Sequence, residues 1–407
     1  MRTDIFRKKA QLPVFLVWPF FGFLWSLLTY KSNTSKVLVY IFLVFYGLTF
    51  VITGPGPDAY EYAQGLIDTA QRPFNEIWDV IGGMYATNTS VDIVQPIITF
   101  FVSRVTDHHF LLFGVFAAIF GYFYLKSIDF VYDQYIENPN TNVLIHVLFF
   151  ALINPICNIN GFRFNAAVWV YFFGAFNFIL YRNPKYLFIA LSSLLLHFSF
   201  IGASIILLIY FFLGNRDKIY VPILILSFII PDLLKPYLDQ IIPKLGLGLQ
   251  TRIQGYTSES YVMGTTVLIK SVKWIIQSSG DFVMYYLFGA ILYMKFRFRA
   301  ISSDKQISSL YSFLLLFLSF INFGKSIPSF GRFQMVFMLL GVLYLILILI
   351  RIPVKKGLPI TLIGLFPMIL MALISLRIWA NSFNVLLLAP MPLPFINNSI
   401  SFASFFF

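Results

Sequence analysis

Gly54-Pro55-Gly56-Pro57-Asp58-Ala59-Tyr60-Glu61-Tyr62 opens the one long polar stretch of this chain, and Asp107-His108-His109 closes it. Between them lie seven acids (Asp58, Glu61, Asp68, Glu76, Asp79, Asp92, Asp107) against two basic residues, Arg72 and Arg104. Nearly everything on either side is apolar. Lys and Arg collect in cytoplasmic loops of membrane proteins, so an acidic stretch of this length is expected on the opposite face. Within it, Pro57 followed by Asp58 reads as a helix start. Asp58 and Glu61 have the spacing of a capping box, and a helix over about 59–71 follows, ended near Pro73. Asp58 and Tyr62 share one face of that helix. Residues 91–105 form an apolar stripe too short to span a bilayer, which suits a re-entrant or interfacial helix.

The rest of the composition agrees with a membrane setting. The chain has 407 residues, of which 59% are hydrophobic and 11% charged, with a mean hydropathy of +0.81. Soluble domains run near ~45–50% apolar and ~25% charged, and no soluble core hides this much apolar surface. The expected fold is all-α: a polytopic helical membrane bundle of about 10–12 transmembrane helices, some short, in a single domain over 1–407. The net charge of +12 could suggest nucleic acid. The basic residues instead fall in short loops between apolar runs, so no nucleic-acid partner is expected. The single Cys157 leaves no intramolecular disulfide and no multi-cysteine metal site. No A-x-A-like site follows the first apolar run, so no cleaved leader is expected.

Taken in order, the apolar runs are about 12–29 (broken by Pro13 and Pro19), 37–53, 110–125, 142–157, 162–181, 186–213, 219–231, a run ending at Lys295-Arg297-Arg299, 307–322, 333–350 and 358–378. The segment 126–141 reads as a polar inside loop. The first run poses a conflict, because basic residues flank it on both sides: Arg2, Arg7, Lys8 and Lys9 before, Lys31 and Lys36 after. Three solutions stand: a short hairpin or interfacial helix, an N-terminus outside against its charge, or 54–90 inside with 91–106 as a crossing. The acid count argues against the third. The run 186–213 is too long for one span and reads as two short helices meeting at His197. The external loops are then 54–109 and 232–266. The Pro-broken tail, with Pro390, Pro392 and Pro394, belongs to the outer interface.

On this topology a set of polar residues gathers at one face: Asp58, Tyr62, Arg104, Arg163, His197, Arg252, Lys325, Arg332 and Arg377. Outer cations oppose the charge rule. They either bind an anionic ligand, for which arginine offers a planar two-pronged fork, or snorkel to lipid headgroups. His197 is either a hydrogen-bonded core histidine or a functional ionisable group. Asp58 is a helix cap, a catalytic carboxylate, or both. No D-x-D or E-x-D pair occurs, so no metal site and no cofactor are expected.

Four pieces in order resemble the EpsG-like branch of the Wzy-type polysaccharide polymerases, and together they cover about 50–335. They are Gly56-Pro57-Asp58 through Tyr62 after an apolar span; Gly161-Phe162-Arg163-Phe164-Asn165-Ala166-Ala167; Leu195-Leu196-His197-Phe198-Ser199-Phe200; and Gly331-Arg332-Phe333 opening a late span. The resemblance implies a glycosyltransferase in the bacterial inner (cytoplasmic) membrane with its active site facing the periplasm. The donor would be a glycan on undecaprenyl diphosphate and the acceptor a repeat unit on the same carrier. Partners would include membrane lipid and the chain-length regulator and flippase of the same surface-polysaccharide pathway. Asp58, His197, Arg163 and Arg332 would be catalytic. Tyr62, Arg104, Arg252, Tyr256 and Lys325 would bind substrate. A ligase using the same donor and a lipid-linked glycan flippase are the alternatives.

Overall fold

The computed structural model describes residues 2–52, 54, 58–76, 92–137, 139–230, 273–325, 327, 330–395 and 400–406. The expected loop 232–266, with Arg252 and Tyr256, lies outside them. The class is all-α, at 84% helix. Among the described residues the only β-type pairing is one bridge between Asn384 and Ser401.

The chain opens with α1 (Arg2–Val17), α2 (Pro19–Leu28) and α3 (Asn33–Leu48). Trp18 and Pro19 bend the first apolar run sharply. The bend is tight enough that a Cβ on Gly22 would collide with Phe15. Gln11 on α1 donates to Ser26 Oγ on α2 at 2.9 Å and to Ser35 Oγ at the start of α3 at 3.0 Å. The chain before Gln11 and the turn at 29–36 therefore lie at the same end. α1 and α2 thus form the short hairpin that is the first of the three readings.

After α4 (Asp58–Ala70) and α5 (Val94–Ser103), the helix α6 (His109–Glu137) runs 29 residues without a break. Its last turns occupy the segment that sequence pattern assigns to a loop. Their polar residues have partners that the local sequence does not show. Asp129 accepts from Tyr30 Oη at 2.9 Å and pairs with Lys36 Nζ at 3.2 Å, while Val131 is fully buried on the other face. This contact also sets direction: α3 and α6 run antiparallel between a Lys36 end and an Asp58 end.

Next come α7 (Thr141–Ile153) and α8 (Phe162–Tyr181), joined by a 3-10 turn, Ile156–Gly161. Phe150 meets Trp169 and Phe172 with ring centroids 5.8 and 5.4 Å apart, so the two helices form a hairpin. Beyond it lie α9 (Pro184–Leu191), α10 (Ser193–Leu196), α11 (Phe200–Leu213) and α12 (Asp217–Ile229). The break between α10 and α11 falls at His197, whose backbone is extended (φ −152°, ψ 119°). The later helices are α13 (Lys273–Arg297), α14 (Arg299–Ser302), α15 (Lys305–Phe323), α16 (Gln334–Leu349), α17 (Val354–Ser382) and the short α18 (Phe402–Phe406).

α8 and α16 are the most thoroughly buried helices, packed on every side along most of their length, and form the centre of the bundle. Outer helices show the reverse pattern. Phe366, Ile363 and Leu373 on α17 and Phe212 on α11 are 59–78% exposed. Among the described residues five apolar segments are long enough to cross a membrane: His109–Glu137, Thr141–Tyr181, Lys305–Phe323, Phe330–Leu349 and Val354–Ser382. The second of these is the hairpin just described. Shorter apolar helices, including Asn33–Leu48 and Phe200–Leu213, pack among them.

Close helix approach depends on glycine at Gly174, where an added Cβ would collide with the Ala190 backbone nitrogen on α9. Backbone cannot swing aside as a side chain can. Gly174→Leu is therefore expected to destabilise by about 1–3 kcal/mol or more, as overpacking does. Gly289→Ala, where a Cβ meets open space, should leave stability intact. Thermal unfolding of the detergent-solubilised protein compares the two.

Candidate functional site

The Asp58 end is built on the first turn of α8. Helix α4 lies across it with Ala59, Tyr62 and Leu66 turned inward, all nearly fully buried. Those positions are three and four apart, one face of a helix. The start of α4 is held from outside its own sequence: the Ala59 N–H donates to Asn160 Oδ1 at 3.2 Å. The capping box expected from Asp58 and Glu61 does not form. Asp58 is exposed, and its carboxylate accepts no hydrogen bond and makes no ion pair among the described residues. One oxygen lies 3.4 Å from where a Gly161 Cβ would stand. A Cβ there would touch the carboxylate at ordinary contact distance and press on Asn165 Nδ2 at 3.0 Å.

Arg163, second residue of α8, is the hub. Its Nε donates to Tyr62 Oη at 3.1 Å and its Nη1 pairs with Asp92 Oδ2 at 3.1 Å. A cation in the first turn of a helix is opposed by the macrodipole, by ~0.3–1 kcal/mol. Asp92 supplies the compensation. Its residue exposure is 0%, so both of its oxygens must be satisfied internally. The second, Oδ1, accepts the Phe198 N–H at 2.9 Å. One residue on, the Ile93 N–H donates to Leu195 O at 3.0 Å. Asp92 thus ties α8, the lead-in to α5 and the His197 break into one piece. Sequence reading counted Asp92 among the loop acids and gave it no role. The available signal was a lone charge in the apolar run Val91-Asp92-Ile93-Val94.

Tyr62 adds a hydroxyl to this assembly. Burial pushes its phenol up, Arg163 opposes the shift and Asp58 adds to it, with a net rise. It remains a neutral O–H at physiological pH.

His197 is buried at 7% exposure, beside Phe164 with ring centroids 5.4 Å apart. Its Nδ1 accepts the Ser199 N–H at 3.2 Å and lies 2.8 Å from Ser199 Oγ. An N–H donor on Nδ1 means that nitrogen carries no proton, so the neutral ring carries its proton on Nε2. Phe164 also touches Phe333 (5.7 Å), and the Arg332 guanidinium lies 5.8 Å from the Phe164 ring centroid. Arg332 is exposed and makes no ion pair among the described residues.

Five of the expected residues therefore come together around one helical turn: Asp58, Tyr62, Arg163, His197 and Arg332. Arg104 does not join them. Its guanidinium donates to the carbonyls of Thr69 and Arg72 at the far end of α4, and it stacks over Phe100 at 4.7 Å. That end is ~18 Å along the helix from Asp58 at 1.5 Å per residue. A cation on the last carbonyls of a helix satisfies groups that have no intrahelical donor. Lys325 is exposed on the turn after α15, 3.5 Å from Tyr285 Oη. Arg377 is exposed on the last turns of α17. Arg252 and Tyr256 lie outside the described residues. Next to Arg332, the Gln334 amide donates to Asp281 at 2.6 Å, a polar pair that sequence pattern did not suggest. No group of three or more potential metal ligands occurs among the described residues.

Comparison of the chain with protein-family models, curated proteins and solved structures gave no match.

Proposed function

We propose that this chain is a membrane-embedded glycosyltransferase that polymerises polyprenyl-diphosphate-linked oligosaccharide units on the external face of a bacterial inner membrane. One observation carries the reading. Among the described residues, an exposed carboxylate and an exposed guanidinium that make no ion pair, Asp58 and Arg332, both lie against the start of α8, near Gly161 and over the Phe164 ring. Displacement at an anomeric carbon by a sugar hydroxyl needs those two groups: a base for the departing proton and positive charge for the departing diphosphate.

Asp58 is the base in this scheme. It is exposed and free to accept, whereas the Nδ1 of His197 is already accepting from Ser199. The acceptor hydroxyl attacks the donor's anomeric carbon as its proton passes to Asp58. The bond from that carbon to the diphosphate oxygen breaks, and polyprenyl diphosphate departs. Arg332 receives the charge developing on the leaving group. Arg163 is already committed on two sides to Tyr62 and Asp92, so it contributes through its remaining edge and mainly positions the turn. His197, held by Ser199 at the break between α10 and α11, forms the wall of the site beside Phe164.

Two features support the membrane placement. Exposed apolar side chains belt the outer helices. The cations also divide unevenly: Lys31, Lys36, Lys126, Arg182, Lys185, Arg216, Lys218, Lys295, Arg297, Arg299, Lys305, Arg351, Lys355 and Lys356 lie toward the Lys36 end, the cytoplasmic side by the charge rule. The Asp58 end then faces outward.

The deciding experiment is the glycan banding pattern of a strain lacking this chain. Product limited to one repeat unit is the expected result. Long chains left on the carrier would instead make it a ligase, and absence of external glycan a flippase. Two in vitro outcomes follow for the purified protein. Chain extension should survive excess EDTA, since the cations at the site are arginines; loss restored by Mg²⁺ would reassign the diphosphate's partner. Arg332→Ala should lower turnover by ~10²–10³, the usual cost of one preorganised donor to a developing charge. Arg332→Lys should recover only part of it, because the two-pronged fork is gone. Near-normal extension by Arg332→Ala would remove Arg332 from the reaction.

A further inference from the structure

At the opposite end of the bundle, α3, α6 and α8 border an open cleft of about 520 Å³, within the range of small-molecule sites. Its α6 wall presents Lys126, Asp129, Phe130 and Asp133, which are spaced three and four apart on one helix face. Phe173 and Phe176 of α8 form an apolar floor, and Lys36 closes the α3 side.

The charges are not equally occupied. Asp129 is held by Lys36 at 3.2 Å and by the Tyr30 hydroxyl at 2.9 Å. Asp133 is only 3.8 Å from Lys36, with 62% of its side chain exposed. Lys126 is exposed and makes no ion pair among the described residues, its ammonium 6.0 Å from the Tyr122 ring centroid. Two lysines and two aspartates leave the lining neutral. A simple anion or cation gains little from such a lining, while a ligand carrying both charges a few ångströms apart can satisfy Lys126 and Asp133 together.

The cleft continues into a second of about 170 Å³ that shares Lys36, Lys126 and Asp129 and is otherwise bounded largely by Tyr30, Tyr40, Tyr122 and Leu125. Val37, Ile41 and Tyr122, beside this trough, are 42–55% exposed. The polar cleft thus opens along an aromatic groove toward the apolar outer surface of the bundle.

We propose that this cleft binds the headgroup of a zwitterionic aminophospholipid, its phosphate at Lys126, its ammonium at Asp133, and its glycerol along the groove between Tyr40 and Tyr122. The proposal rests on the membrane placement but not on the polymerase chemistry at the other end. Both key side chains are exposed, so their replacement leaves the packed core untouched.

The test uses the full chain in detergent. Native mass spectrometry with added phosphatidylethanolamine or phosphatidylglycerol should show the former bound more tightly. Lys126→Glu should weaken its binding about tenfold or more, the worth of a hydrogen bond to a charged group. Asp133→Asn should weaken phosphatidylethanolamine but spare phosphatidylglycerol. Soluble glycerophosphoethanolamine should compete, and inorganic phosphate should not. Equal affinity for the two lipids, or unchanged binding in both variants, overturns the site. Competition by inorganic phosphate equal to that by glycerophosphoethanolamine also overturns it, because the cleft would then be a plain anion site. The membrane placement is checked separately: recovery of the chain in the soluble fraction without detergent would remove that premise, whereas failed lipid binding by a chain that stays in carbonate-washed membranes removes the headgroup site alone.

Discussion

Asp58→Asn is expected to lower chain extension by ~10²–10⁴, the contribution of a positioned general base, with no loss of folded protein. The two halves of that expectation come from different observations. The loss of rate follows from an exposed carboxylate, free of partners among the described residues, held beside Gly161. The intact fold follows from the helix start being capped by Asn160 rather than by Asp58. Asparagine is nearly isosteric with aspartate and caps helices about as well, so even an undetected capping role would survive the change. In vitro extension from a lipid-linked donor, with gel filtration in detergent to check folding, separates the outcomes. Near-normal extension with a normal elution profile would show that Asp58 carries no proton in the reaction, and the search for the base would move to His197. Donor binding should change little, since the carboxylate is assigned to the acceptor side.

That Asp58 could be singled out from sequence, while Asp92 could not, has a physical basis. Asp58 announces itself locally: Gly and Pro precede it, an amphipathic helix follows it, and a polar stretch in an apolar chain draws the eye. Asp92 acquires its role from Arg163, 71 residues away, and from the Phe198 N–H, 106 residues away. Neither is visible in a window of sequence. Arg104 shows the converse. As a cation on the face opposite the basic loops it suggests ligand binding, yet its fork is spent on carbonyls at the end of α4. The break at His197 was legible because a run of about 28 apolar residues exceeds one crossing. The continuation of α6 to Glu137 was not, because the acids that make 126–137 look like a loop are matched by Lys36 and Tyr30 from the start of the chain. The hairpin of α1 and α2 is not legible locally, since the contacts that hold it, from Gln11 to Ser26 and Ser35, are tertiary.

Asp92→Ala should be the most damaging single change at the Asp58 end. Removing one partner of a buried ion pair typically costs ~3–5 kcal/mol, because the other charge is left without compensation. Here the loss also frees the Phe198 N–H, and with it the turn that orients His197. The expected result is poor recovery of folded protein and no extension activity. That outcome alone would not distinguish a structural ion pair from a functional one, so a second variant is needed. In Asp92→Asn combined with Arg163→Gln, both charges are removed and hydrogen-bonding groups of similar shape remain. Replacing both partners of a buried pair is often close to neutral for stability, so thermal unfolding should return toward that of the unmodified protein. Activity should not return with it. Without a cation at the start of α8, Tyr62 loses its charged donor, and the turn that carries Phe164, against which Arg332 lies, loses its anchor. Stable but inactive protein places Arg163 in the reaction. Recovery of both stability and activity would reduce the Asp92–Arg163 pair to a strut, with Asp58 and Arg332 left to do the chemistry.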